Sequence, residues 1–397
     1  MLSRLRARGQ RVSMLVVVLL LIELLDELVF GAREATLPLI RDALSLNYIQ
    51  IGILLSVPGV IASFIEPFIG ILGDTRHRKS IMLVGGLVFA LQLLAIILSQ
   101  QFLALLLAFI ILYPASGAFV SLAQATLMDI EPLRHEQNMA RWTFFGSMGV
   151  VGGPLLLTLI LSIGLAWQTV YIFLAIVSLL VVAMMARYVP AQLASTDDEP
   201  PPDFRGSLRN ALVVVRQFRV MRWVILLEFS DLLLDVLLSY LALYFVDVVG
   251  FTPATAAIAI SVWTGVGLIG DFAIMFLLER VDGLTYLRIS AVIEFVLYSL
   301  FLLIDDLFLK IAILGLLGFF NAGWYSVLQG RLYSSLPGQS GLVLVVNNIG
   351  GLFGAMIPLL IGVIATQWGL ATAMWFVLLG PIVVFIGLPR QSDEATN

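Results

Sequence analysis

Apolar runs of roughly twenty residues recur along this chain, separated by short polar connections. Runs of that length match the hydrocarbon thickness of a bilayer, so each predicts a membrane-spanning helix. The spans fall at 13–40, 48–72, 80–99, 102–128, 141–163, 166–188, 221–246, 254–278, 284–304, 307–330, 341–364 and 370–388. One interval breaks the rhythm. Residues 190–220 hold Asp197, Asp198, Glu199 and the run Pro200-Pro201-Pro202, and cannot cross a bilayer. They predict a division into an N-terminal six-helix bundle (1–189), a cytoplasmic linker (190–220) and a C-terminal six-helix bundle (221–397). Within the linker, 206–219 sets Arg209, Arg216 and Arg219 beside Leu208, Leu212 and Val215. That pattern fits a helix lying on the membrane surface and fits a solvated connection equally. The predicted fold class is an all-α membrane protein with twelve transmembrane helices in two pseudo-symmetric six-helix bundles.

Composition makes lipid the necessary solvent. Hydrophobic residues are 60% of the 397 and charged residues only 12%. A soluble domain is closer to half apolar and a quarter charged, about twice this charge. There are no cysteines, which excludes disulfides and thiolate metal sites. The two histidines, His77 and His135, lie among charged loop residues and read as solvated. Arg4, Arg6, Arg8 and Arg11 ahead of an apolar run resemble a signal peptide. Glu23, Asp26 and Glu27 inside that run argue instead for a first membrane helix, retained uncleaved.

The basic residues orient the bundle. The N-terminus, the even-numbered connections, the linker region and the tail together carry 19 of the 22 Lys and Arg. Arg33, Arg41 and Lys310 fall on the other side. By the positive-inside rule both termini are cytoplasmic, as an even number of spans requires. The expected location is the plasma (inner) membrane, multi-pass.

The two halves repeat. A shift of 205 residues carries Glu23 and Asp26 onto Glu228 and Asp231, and Glu66 onto Asp271. The same shift carries Asp42 onto Asp247, and Gly146 and Gly149 onto Gly351 and Gly354. Acids are rare inside membranes, so their coincidence in register argues for two halves of the same topology.

After the second span the chain reads Gly70-Ile71-Leu72-Gly73-Asp74-Thr75-Arg76-His77-Arg78-Lys79. This resembles the signature loop of the major facilitator superfamily through Gly70, Gly73, Asp74, Arg78 and Lys79; Thr75 and His77 depart from it. The likeness implies that the loop latches the cytoplasmic gate, with Asp74 accepting hydrogen bonds and Asp129 at the end of the fourth span joining it. The fifth span, Gly146-Ser147-Met148-Gly149-Val150-Val151-Gly152-Gly153-Pro154, resembles the superfamily's antiporter motif in Gly149, Gly153 and Pro154. Leu155, Leu156 and Leu157 stand where that motif has glycines, and plain helix packing explains the small residues as well. The fourth span lacks the arginine that many proton antiporters carry there. A looser likeness to drug exporters of the fosmidomycin-resistance type rests on the acidic first span and on Ser116-Gly117-Ala118-Phe119.

Among the acids within the spans are Glu23, Asp26, Glu27, Glu66, Glu228, Asp231, Asp235, Asp271 and Glu294. Each costs about 2.5–3.5 kcal/mol at a helix centre, so lipid-facing positions are excluded in practice. Glu23, Asp26, Glu27, Arg33 and Glu34 share an arc of about 120° on the first helix. Glu228, Asp231 and Asp235 share about 60° on the seventh. The resemblance implies that both faces line a central cavity, together with Glu66 and Asp271. Desolvation and neighbouring acids favour the protonated form of a carboxyl in general, so such clusters can exchange protons as their hydration changes. Arg33 is expected to neutralise Asp26 or an acid on another helix.

The leading expectation is a secondary active transporter working by alternating access, exporting drug-like or cationic compounds against protons. A metal-cation or nutrient transporter of the same fold is a second reading, and a non-transporting membrane sensor or scaffold a third. No nucleophile–base pair and no phosphate-binding glycine loop is present, so an enzyme is not expected. Neither a cofactor, a metal site nor a nucleic acid is implied. The expected partners are a small-molecule substrate, protons and lipid, and the expected state is a monomer.

Overall fold

The computed structural model describes residues 2–73, 77–130, 135–190, 213–214, 216–278, 280–335 and 340–389. Every regular element among them is helical. Ten helical stretches are by themselves long and apolar enough to cross a bilayer. The first and seventh predicted spans are the two that are not among the ten. The first is a 43-residue helix, Leu2–Leu44, that carries the acids Glu23, Asp26 and Glu27. The seventh is interrupted, which follows from its own acids as described below. Most of the linker, with its amphipathic stretch, lies outside the described residues.

The chain divides into two compact units. One draws on Met1–Leu46, Ile53–Pro202 and Pro253–Ala257, the other on Asn47–Gly52, Asp203–Thr252 and Ile258–Asn397. Large side chains face outward along most helices: Leu98, Leu103, Phe272, Phe308 and Ile386 are each more than half exposed. The buried core is built largely of Leu, Val, Phe and Tyr side chains, and small residues are used where helix backbones cross closely.

In the first unit the tightest seam joins the first span to the fifth, His135–Ser162. A Cβ placed on Gly149 would meet the Leu24 carbonyl at 2.5 Å and the Glu27 Cβ at 2.8 Å. One placed on Gly31 would meet the Val150 carbonyl at 2.5 Å, and one on Gly153 would run into the Ala32 amide. Gly149 and Gly153, four residues apart, therefore let the two backbones touch, and Pro154 packs beside Gly31.

The fourth, seventh and tenth spans are irregular where polar residues gather; among the described residues the eleventh also breaks between Gly354 and Ile357, and the twelfth tightens at Trp375–Leu378. The fourth runs Phe102–Ser116, passes through a π-helical turn at Gly117–Ser121, and continues as Leu122–Ile130. The seventh runs Phe218–Ser230, tightens to a 3-10 turn at Asp231–Leu233, breaks at Leu234 (φ −107, ψ −102) and resumes at Asp235–Asp247. The tenth runs Leu307–Asn321, breaks at Ala322-Gly323, and resumes at Trp324–Ser335. Non-helical backbone at membrane depth persists only where its freed amides and carbonyls find partners.

Candidate functional site

In the first unit the acids of the first span meet the fourth and fifth spans. The Asp26 carboxylate accepts a hydrogen bond of 2.7 Å from the Ser116 hydroxyl, at the residue just before the π-helical turn. Glu66, on the second span (Tyr48–Gly73), reaches the same turn: a Cβ on Gly117 would lie 3.0 Å from its Oε1. Glu23 is buried, with Oε1 2.7 Å from where a Cβ on Gly146 would sit. Asp26, Glu66 and the π-helical turn thus form one knot, with Glu23 and Glu27 on the neighbouring seam against the fifth span.

Arg33 behaves differently from the sequence expectation. Its Nη2 pairs at 2.5 Å with Glu34, the next residue, and its Nη1 donates to the Tyr113 hydroxyl at 2.7 Å. The guanidinium also lies 4.8 Å from the Phe30 ring centroid and 5.3 Å from that of Tyr113. It is committed to Glu34 and an aromatic surround rather than bonded to Asp26. Glu34, fully buried, has its Oε2 without a hydrogen-bond partner among the described residues. The fourth span, which carries no arginine of its own, thus receives a guanidinium from the first.

In the second unit the same positions recur with related contacts. Glu228 accepts the backbone N–H of Gly354, and a Cβ on Gly350 would lie 2.9 Å from its Oε1. Gly350 is one residue off the repeat position of Gly146, which is Gly351, where a Cβ would meet open space. Asp231 accepts the backbone N–H of Asp235, so it caps the second half of the seventh span, where an anion is favoured. The acids expected there from periodicity therefore also shape the helix: Asp231 holds the break and Asp235 begins the next half, with its side chain exposed.

Asp271, on the eighth span (Pro253–Leu277), is exposed rather than enclosed. Its carboxylate takes the backbone N–H of Gly323, whose φ of 78° marks the break in the tenth span. The Tyr286 hydroxyl takes the other side of the break, reaching the carbonyls of Phe320 at 3.0 Å and Ala322 at 2.7 Å. The sequence singled out Asp271 but not Tyr286 or the break. Ala322-Gly323 in mid-span, at the repeat position of Gly117-Ala118, was the available signal.

The signature loop is only partly within the described residues. Asp74 lies outside them, as does the Asp129 side chain. Gly70 is open, and a Cβ on Gly73 would strike Leu122. Arg78 is buried and donates through Nε to the Gly73 carbonyl at 2.6 Å. Lys79 donates to the carbonyls of Ala186 (2.9 Å) and Val189 (2.6 Å). A cation there complements the C-terminus of the sixth span, Gln168–Tyr188. In the second-half loop, Asp282 caps the ninth span through the amides of Leu284 and Thr285 and pairs with Arg331 at 2.9 Å. No group of three or more acidic, histidine or cysteine side chains that could hold a metal ion occurs among the described residues.

The profile of the Major Facilitator Superfamily matches residues 19–357, most of the chain. The chain belongs to the major facilitator superfamily. It is a multi-pass membrane transporter of the secondary type, not an enzyme, and its substrates are small molecules. Over 389 residues it is 22% identical to the fosmidomycin resistance protein of Escherichia coli strain K12, covering 93% of this chain and 92% of that one. Its fold is similar to that of a bacterial homologue of the human lysosomal transporter Spinster, solved inward-facing and occupied. That likeness has a TM-score of 0.74 at 16% identity, over 95% of this chain and 94% of the other. It is likewise similar to the nucleoside transporter NupG, with a TM-score of 0.73 at 15% identity, over 94% and 98% of the two chains. At such identities the solved structures establish the superfamily fold, the major facilitator arrangement of helices, and nothing about cargo.

Proposed function

We propose that this major facilitator is a proton-coupled exporter of small organic compounds, with Asp26 and Asp231 as its principal proton-carrying acids. The observation that carries the reading is their placement. They occupy equivalent positions of the two halves, deep in spans, and each is held by hydrogen-bond donors at an irregular turn. The bases deep in the spans are engaged elsewhere. Arg33 is paired with Glu34, and Lys310 is bonded to the Tyr244 hydroxyl and the Phe301 carbonyl. Glu23, Glu27, Glu66, Glu228, Asp235 and Asp271 supply the polar surroundings. An uncompensated acid in a membrane helix is costly to retain, and proton exchange or cation binding is the function that justifies it.

Export is supported by the drug-resistance name of the Escherichia coli relative. The Gly149-Gly153-Pro154 motif adds less, because its glycines are fully used in packing the fifth span on the first. We place both termini and the linker on the cytoplasmic side of the plasma membrane from the basic asymmetry, and the chain as a monomer. Proteoliposome flux under imposed pH gradients, across cationic, neutral and anionic compounds, tests the reading. Asp26→Asn and Asp231→Asn are each expected to exchange substrate down its gradient but to fail to concentrate it. Accumulation and pH response equal to wild type in both variants would make the acids structural.

A further inference from the structure

On the ninth span, Gly283–Leu303, the residues Tyr286, Ser290, Glu294 and Tyr298 recur every fourth position and so share one face. Three of the four are bonded. Tyr286 holds the Phe320 and Ala322 carbonyls at the break in the tenth span. The Ser290 hydroxyl accepts the Trp324 indole N–H at 2.9 Å, just past that break. The Tyr298 hydroxyl donates to the Met374 carbonyl of the twelfth span at 3.0 Å. Glu294, in the middle, is 0% exposed, and neither carboxyl oxygen has a hydrogen-bond partner among the described residues.

A carboxylate with no donor, sealed from water at membrane depth, is not tenable. In this conformation the group is a neutral acid. None of the titratable and charged groups around it is hydrogen-bonded to it, and Arg288, on the same helix, donates instead to the Pro389 carbonyl. Tyr286 and Tyr298 stand on its own helix, and Asp271 on the eighth span lies toward Tyr286. Tyr244 of the seventh span lies toward Tyr298, and Lys310 of the tenth is turned onto Tyr244 and the Phe301 carbonyl. The twelfth span, Leu370–Gly387, has no titratable side chain. Because Tyr286 and Ser290 grip both sides of the break, movement of the second half of the tenth span must pull on the face that seals Glu294.

We propose that Glu294 is a proton-binding site, loaded in this conformation and released to water when the break in the tenth span rearranges. It deepens the proton-coupled reading with a site apart from the Asp26 and Asp231 clusters.

The test is proton counting on the purified full chain in liposomes, by dye-reported uptake after a pH jump, with infrared detection of the protonated carboxyl. Glu294→Gln keeps size and neutrality, so it should fold. It is expected to lower the proton count by about one and to remove a buried-carboxyl band that bleaches with rising pH. Glu294→Asp should shift that band rather than remove it. A proton count unchanged in Glu294→Gln, or a band that never bleaches, overturns the proposal. If Asp26→Asn changes the count while Glu294→Gln does not, the proposal fails and the proton-coupled reading stands. If Glu294 titrates but flux ignores the pH gradient, the site stands and the coupled reading fails.

Discussion

Asp271 accepts the backbone N–H of Gly323 at the point where the tenth span breaks, and Glu66, 205 residues earlier, stands against Gly117 at the π-helical turn of the fourth. The acid of the second helix in each half thus sits on the irregular turn of the fourth helix. Ser116 and Asn321 occupy equivalent positions at the two turns. Ser116 is bonded to Asp26, whereas both side-chain polar atoms of buried Asn321 lack partners among the described residues. The repeat is therefore one of local architecture as well as of residue type.

Gly323→Ala is expected to destabilise the protein by about 1–2 kcal/mol, because its φ of 78° penalises any Cβ. Its Cβ would also meet the Ile274 side chain at 2.7 Å. Gly265→Ala on the eighth span, where a Cβ meets open space, is the control and should be neutral or better. Thermal unfolding in detergent compares them. Equal midpoints would mean that the turn is not held as described.

Arg33 and Glu34 form a buried pair, and removing one partner strands the other. Arg33→Met alone should cost about 3–5 kcal/mol, and the double change Arg33→Met, Glu34→Leu should recover most of it. A double-mutant cycle on unfolding midpoints measures the coupling. Additive losses would show that the pair contributes nothing as a pair.

Gly149 and Gly152 are three residues apart on the fifth span but meet different kinds of atom on the first. A Cβ on Gly149 meets backbone, the Leu24 carbonyl at 2.5 Å, whereas one on Gly152 meets only the flexible end of Leu28 at 3.3 Å. Gly149→Ala should therefore lower yield and thermal midpoint sharply, and Gly152→Ala should be close to wild type. Size-exclusion profiles and unfolding scans distinguish them.

Membrane orientation is accessible because the chain contains no native cysteine. Asp305→Cys should react with an impermeant thiol reagent added to intact cells, and Asp198→Cys only after the membrane is opened. Labelling of position 198 from outside would invert the topology argued from the basic residues.

Hydrophobic run length, the polar interruption at 190–220 and the internal shift of 205 residues determined the membrane class, the helical fold and the positions of the acids. Those properties follow from the solvent, since every lipid-facing position must be apolar and every buried charge is an exception that stands out. The tertiary structure decided the partners. Arg33 could not be assigned to Glu34 from periodicity, because adjacent helical residues point apart and only the side-chain path around Tyr113 brings them together. Lys79 was legible as a topology signal but not as the cap of the sixth span, 107 residues away. The breaks in the seventh and tenth spans were hidden for the same reason. A broken membrane helix is permitted only by donors and acceptors on neighbouring helices, such as Asp271 and Tyr286, and a hydropathy pattern carries no record of which helices become neighbours.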